Sequence, residues 1–202
     1  MKAFAGGHEL AAFETNSIAG NESPAHMRYR RTLVAGATYC FTLNLADRGC
    51  RLLVEHIEAL RKAVRDGKQA HPFEIVAWVV LPEHMHAIWS LPPDDSDYSL
   101  RWSQIKGAFS RRIPGGEAVS PSRASKRERG IWQRRFWEHL MCDDLDLVRH
   151  VDYVHYNPVK HGQAQRAADW PFSSFHRYVR RELLPVDWGC SGAFDGEFGE
   201  RD

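Results

Sequence analysis

FEIVAWVVLPEHMHAIWSL (residues 73–91) is the stretch that decides the fold of this chain. It holds two strongly apolar runs, 73–81 and 84–91, separated only by Pro82-Glu83. Runs this short, rich in Val, Ile and Trp and broken by a Pro-containing dipeptide, predict a β-hairpin. Upstream, TYCFTLNL (38–45) has the β-branched and aromatic content of another strand. Between them Leu52, Leu53, His56, Ile57, Leu60 and Val64 recur at helical spacing, with Gly67 as the stop signal. Downstream, a helix is expected from about Ser99 to Arg111, a flexible basic loop over 113–130 and a fourth strand over 132–141. Asp143 or Asp144 caps a last helix, which Pro158 is expected to end near Tyr156. The order β-α-β-β-α-β-α predicts an α+β ferredoxin-like sandwich: an antiparallel sheet of four to five strands, covered by helices.

The composition agrees. With 202 residues, 43% of them hydrophobic, the chain has material for one domain with a real core and is too apolar to be wholly disordered. No apolar run reaches the roughly 18–20 residues of a membrane span. Residues 1–27 lack the apolar segment of a signal peptide, so the expected location is the cytoplasm, with no membrane partner. Cys40, Cys50, Cys142 and Cys190 form no C-x-x-C pair, which argues against a zinc ribbon or a disulfide scaffold. Residues 1–27 are expected to be a disordered extension, 28–162 the functional domain and 163–202 a C-terminal segment with an acidic tail of regulatory role.

Charge is distributed unevenly. Lys and Arg total 27 against 26 Asp and Glu, a balance that on its face speaks against nucleic acid. Yet between Arg101 and Arg135 ten basic residues face only Glu117 and Glu128. Beyond Glu182 the sign reverses, with Asp187, Asp195, Glu197, Glu200 and Asp202 opposed by Arg201 alone. A basic middle and an acidic tail fit a chain that meets phosphate backbones, or else a solvated charged loop.

Two constellations carry chemistry. On a strand, His84 and His86 project to one face while Met85 turns to the other, so the imidazoles can share a divalent cation. On the last helix Leu147, Val151 and Val154 form the buried stripe, and His150, Tyr153 and Asn157 a second stripe beside it. Tyr153 and Asn157 are neighbours one turn apart. The same residues also suit a purely structural role as core histidines, a half-buried tyrosine and a capping amide.

Taken together, WVVLPEHMHAIWSLP (78–92), IWQRRFWEH (131–139), HVDYVHYNPVKHG (150–162) and DWPFSSFHR (169–177) resemble the REP-associated tyrosine transposases. These are relatives of the single-tyrosine insertion-sequence transposases in the HUH nuclease superfamily. The resemblance spans about 28–188. It implies that His84 and His86, on a central strand, hold Mg²⁺ or Mn²⁺, with Asn157 in the third-ligand position where many relatives carry Gln. It implies Tyr153 as the nucleophile, forming a 5′-phosphotyrosine in single-stranded or hairpin DNA of REP-like palindromes, by a monomer or homodimer. Arg134 and Arg135, then Arg101, Lys106, Arg111 and Arg112, are the expected DNA-binding residues, with Trp102, Trp132, Phe136 and Trp137 suited to base stacking. The rival readings are a hydrolase whose histidine pair activates water and a non-catalytic protein that recognises palindromic repeats. Roles for His139, His150, His155 and His161 stay open.

Overall fold

The computed structural model describes residues 33–190; the expected extension 1–27 and the acidic tail past residue 190 lie outside the described residues. The strands are β1 (Thr38–Asn44), β2 (Glu74–Val80), β3 (His84–Ser90) and β4 (Trp137–Leu140). They pair antiparallel in the order β2-β3-β1-β4, the ferredoxin-like order expected from the element sequence. The helices are α1 (Leu52–Glu55), α2 (Ile57–Ala70), α3 (Tyr98–Arg112), α4 (Pro121–Ala124), α5 (Asp144–Lys160) and α6 (Phe175–Arg180). None of them is long and apolar enough to cross a membrane.

Strand alternation splits the core in two. Tyr39, Phe41 and Leu43 of β1 and Met85, Ala87 and Trp89 of β3 point to one face, where Leu60 and Ala63 of α2 and Trp102, Ile105 and Phe109 of α3 cover them. Cys40, Ala77, Val79 and Ile88 point to the other face and meet Val151 and Val154 of α5 and Trp170. His84 and His86 fall in the register that faces α5. The sheet thus holds the histidine strand beneath the tyrosine helix.

The outer edge of β2 is closed by the segment after α5. Phe172 O accepts from Val80 N–H at 2.9 Å, Ser174 exchanges bonds with Trp78, and Val79 bridges Ser173. Arg177 donates to the carbonyls of Ile75 and Val76, and the Tyr178 hydroxyl to that of Val76. Unpaired strand edges template aggregation, and here side chains take up the edge carbonyls.

Five local expectations are corrected. The helix read from Leu52 breaks at His56 into α1 and α2. Gly67 does not stop it but lies buried inside α2, where an added Cβ would sit 2.7 Å from Ile105 Cγ1. The fourth strand shrinks to Trp137–Leu140: Gln133 is tied by its N–H to Asn44 O and by its carbonyl to Lys106, Arg134 turns to Glu128 and Ser122, and Trp132 makes only an isolated bridge to Leu45. The basic segment 113–130 is tied down rather than loose: Arg129 pairs with both carboxylate oxygens of Glu117 and donates to the carbonyls of Ser110, Ile113 and Pro114. Finally, α5 runs through Pro158 to Lys160. Proline there forfeits a single N–H bond in the last turn, and the following N–H of His161 still reaches Asn157 O at 3.0 Å.

Gly67→Ala is expected to destabilise the protein by ~1–3 kcal/mol through overpacking. The better helix propensity of Ala, ~1 kcal/mol, offsets only part of that. Urea denaturation of Gly67→Ala, Ile105→Ala and the double variant checks this: Ile105→Ala removes Cγ1, so in the double variant the loss should be smaller than the sum of the two. Strict additivity would place the strain elsewhere.

Candidate active site

β3 is flanked on both sides by paired strands, and its first residue is His84. Both histidines are buried, at 1% and 0% exposure. His84 Nδ1 lies 2.7 Å from Glu83 Oε1; because a carboxylate only accepts, Nδ1 carries the proton. The Nε2 of His84 is buried with no hydrogen-bond partner among the described residues. His86 Nδ1 lies 2.9 Å from Thr42 Oγ1, the residue directly opposite it on β1. Burial alone would raise the Glu83 carboxyl, but the hydrogen bond and charge of His84, with Arg48 nearby, hold it below the usual range.

The helix α5 begins at Asp143, whose side chain accepts from Asp146 N–H, and packs across β2 and β3. Its 17 residues bring Tyr153 onto the histidines: the Tyr153 and His86 rings lie edge to face with centroids 5.4 Å apart, and those of His84 and His86 are 5.1 Å apart. Lys160 Nζ donates to the Tyr153 hydroxyl oxygen at 3.2 Å and sits 4.9 Å above its ring. Asn157 is fully buried on the same helix, one turn past Tyr153. His161, at the C-cap, places its ring 4.9 Å from that of His84.

Lys160 was not legible as part of this group, because a helix ending near Tyr156 would not carry it back over Tyr153. The i, i+7 spacing within HVDYVHYNPVKHG is the signal that held it.

The donor set suits a divalent cation. Metal-ligating imidazoles characteristically give their second nitrogen to a carboxylate or hydroxyl, and Glu83 and Thr42 occupy those positions. The orphaned Nε2 of His84 and the buried amide of Asn157 supply the remaining chemistry.

No family model matches the chain. A REP-associated tyrosine transposase of Escherichia coli is 46% identical over 173 residues, spanning 86% of this chain and 96% of that protein. A Haemophilus influenzae relative of the same family name is 46% identical over 162 residues, 80% of this chain and 92% of its own. The chain belongs to the REP-associated tyrosine transposases. A solved structure of such a transposase bound to a REP hairpin superposes with a TM-score of 0.73 at 45% identity, covering 86% of this chain and 97% of that one.

Within this transposase fold the basic residues divide sharply. Arg101, expected on a DNA surface, is 1% exposed and spends its guanidinium on Asp95 and on the carbonyls of His71, Pro72 and Asp97. Lys106 donates to Gln133 O at 2.8 Å, and Arg112 pairs with Asp66 at 2.5 Å. Arg134 is exposed and paired with Glu128, while Arg111 and Arg135 are exposed. Trp102 and Trp132, expected to stack on bases, are core residues; Trp102 stacks on Trp89 at 3.9 Å. Phe136 and Trp137 are half-buried.

Of the remaining histidines, His155 faces away from the site. Its Nε2 lies 2.9 Å from Ser174 Oγ, and burial, helped by the Arg177 charge, pushes its pKa down to about 3. It is therefore neutral at ordinary pH and anchors the segment that closes β2.

Proposed function

We propose that the chain is a metal-dependent single-strand DNA transesterase that cleaves REP-like hairpin DNA through Tyr153. The observation that carries this reading is the Tyr153 phenol packed against His86, with the Lys160 ammonium on its oxygen. A phenol of ordinary pKa near 10 is a weak nucleophile at neutral pH. An ammonium donating to that oxygen favours it as an anion, the form that attacks phosphorus.

In the reaction the Tyr153 oxygen forms a bond to the scissile phosphorus, and the bond from phosphorus to the 3′ oxygen breaks. The phenol proton is lost to solvent or a nearby base, and the departing oxygen takes up a proton to become a 3′-hydroxyl. The 5′ side stays on the protein as a phosphotyrosine diester. Because the diester is conserved, a second 3′-hydroxyl reverses the step and joins strands without a nucleotide cofactor.

His84, His86 and Asn157 are the residues that would hold Mg²⁺ or Mn²⁺, which as a Lewis acid offsets charge on the phosphate oxygens. Glu83 and Thr42 fix the two imidazoles, so the donor geometry is set before DNA arrives. Tyr153 is only 2% exposed, so the groups over it must part as the strand enters. The exposed Arg111, Arg134 and Arg135 are the residues left to neutralise phosphates along the bound DNA. The relative solved with a REP hairpin supports the same class of palindromic substrate.

The test is incubation of the wild-type chain with an end-labelled hairpin oligonucleotide bearing single-stranded flanks, with Mg²⁺ or Mn²⁺. A denaturant-resistant protein–DNA adduct that disappears on chelation is the expected result. Hairpin binding with no adduct over a panel of flanks and both metals would make the chain a non-catalytic binder.

A further inference from the structure

The place where β4 hands over to α5 gathers side chains that the transposase chemistry does not use. A ring nitrogen of His139, Cys142 Sγ and a carboxylate oxygen of Asp146 all lie within 4.8 Å of one another. Asp146 is held from several directions. Its Oδ2 accepts from the Cys142 N–H at 2.9 Å and lies 2.8 Å from His139 Nε2, while its own N–H donates to Asp143 at 2.8 Å. Behind it, His150 Nδ1 stands 3.0 Å from Asp146 Oδ1 and 2.9 Å from Asp146 O. The rings of Trp137, His139 and His150 stack in sequence, 5.8 Å and 4.6 Å apart and within 14° of parallel. The result is an imidazole and a carboxylate in fixed orientation, with a thiol at the surface beside them.

We propose that His139, Cys142 and Asp146 form a second cation site, selective for Zn²⁺-class ions. The donor chemistry sets that class. Thiolate with imidazole suits Zn²⁺ or Co²⁺, whereas Mg²⁺ and Mn²⁺ prefer oxygen ligands. Three protein ligands leave water in the fourth tetrahedral position. Cys142 is exposed, and its thiol is held only by a 3.6 Å contact to Leu140 O, so rotation about its Cα–Cβ bond closes the ligand set. Binding displaces one proton, from the thiol, to solvent; the imidazole of His139 binds in its neutral form, its ring proton passing through solvent from Nε2 to Nδ1 as Nε2 leaves Asp146 Oδ2 for the ion.

The placement gives the site a consequence. His139 is on the edge strand, separated from β3 by β1, so the ion is distinct from one held by His84 and His86. Asp146 is in the first turn of α5, seven residues before Tyr153. An ion bridging β4 to that turn fixes the start of the helix that carries Tyr153. Cys40, the other cysteine close by in register, is excluded: burial pushes its thiol up to about 12.

Cobalt reports thiolate ligation directly. Metal-stripped full-length protein titrated with Co²⁺ should develop a thiolate-to-cobalt charge-transfer band in the near ultraviolet at one equivalent. Zn²⁺ should bleach it, and Mg²⁺ in large excess should not. Cys142→Ser should abolish the band, and Asp146→Asn should weaken Co²⁺ binding at least about tenfold. The His84→Ala/His86→Ala double variant should keep it. Zn²⁺ should raise the melting temperature of wild type and not of Cys142→Ser, with matching circular dichroism showing that the variant folds. No band at one equivalent, a band that survives Cys142→Ser, or a band lost in the double histidine variant would each overturn the site.

Discussion

Tyr153→Phe is expected to abolish the covalent adduct and lower strand cleavage by at least about a thousandfold, the scale on which removal of a catalytic nucleophile acts. Hairpin affinity should stay within about twofold. The contrast follows from what the substitution removes. Phenylalanine keeps the ring, its edge-to-face packing on His86 and its place in the core beside α5. It loses one oxygen and the hydrogen bond from Lys160, a change of ~1 kcal/mol in stability. In the proposed reaction the lost oxygen is also the attacking atom. Denaturing gels of the labelled oligonucleotide read cleavage, and native gel shifts at fixed salt read binding. Cleavage within tenfold of wild type in Tyr153→Phe would transfer the chemistry to a water held by the histidine pair. The chain would then be a hydrolase that releases products without an adduct.

The juxtaposition of His84, His86 and Tyr153 was readable because strand and helix periodicity each place side chains on a known face. An alternation of two put His84 and His86 together and Met85 in the core, and the structure has Met85 on the α2–α3 side of the sheet. The stripe of Leu147, Val151 and Val154 set the rotation of α5, which turned Tyr153 toward the sheet. The element order was legible for a similar reason: the short Pro-Glu turn leaves no room for anything but a hairpin.

What failed were inferences from residue identity without its neighbours. Pro158 reads as a terminator in the sequence, but a proline in the last turn costs little, and the extra turn is what delivers Lys160. Gly67 reads as a breaker in one dimension and is a contact surface in three, since Ile105 of α3 takes the space a side chain would need. Arginine is the hardest case. The ten basic residues from Arg101 to Arg135 look alike in the sequence, yet their roles depend on which acids and carbonyls the fold brings near. Asp95, His71 and Pro72 capture Arg101; Asp66 captures Arg112; Glu117 captures Arg129. The basic middle is therefore partly internal scaffolding, and the surface left for phosphate is narrower than the charge count implies.

Arg101→Met should accordingly act on stability and not on DNA. Arg101 is buried but Asp95 is 36% exposed, so removing the guanidinium leaves a partly solvated carboxylate and the carbonyls it served without their donor, a loss of ~2–3 kcal/mol. For a chain of this size that lowers the melting temperature by about 4–12 °C. Methionine keeps much of the apolar stem against the core, so the loss isolates the guanidinium. The acid response supplies the sign. The hydrogen bond and charge of Arg101 hold the Asp95 carboxyl below its usual range. Stability from the pair is complete above the unfolded Asp value near 3.9 and disappears as pH falls through the lower folded value. The gap between wild type and Arg101→Met should therefore be constant from pH 7 to 5 and shrink below about 4. Arg135→Ala should do the opposite: stability within about 0.5 kcal/mol of wild type, weaker hairpin binding and a salt slope shallower by about one. Thermal melts across pH and binding at several salt concentrations separate the two. An Arg101→Met protein that melts with wild type but has lost hairpin affinity would return Arg101 to the DNA surface and overturn its assignment to the scaffold.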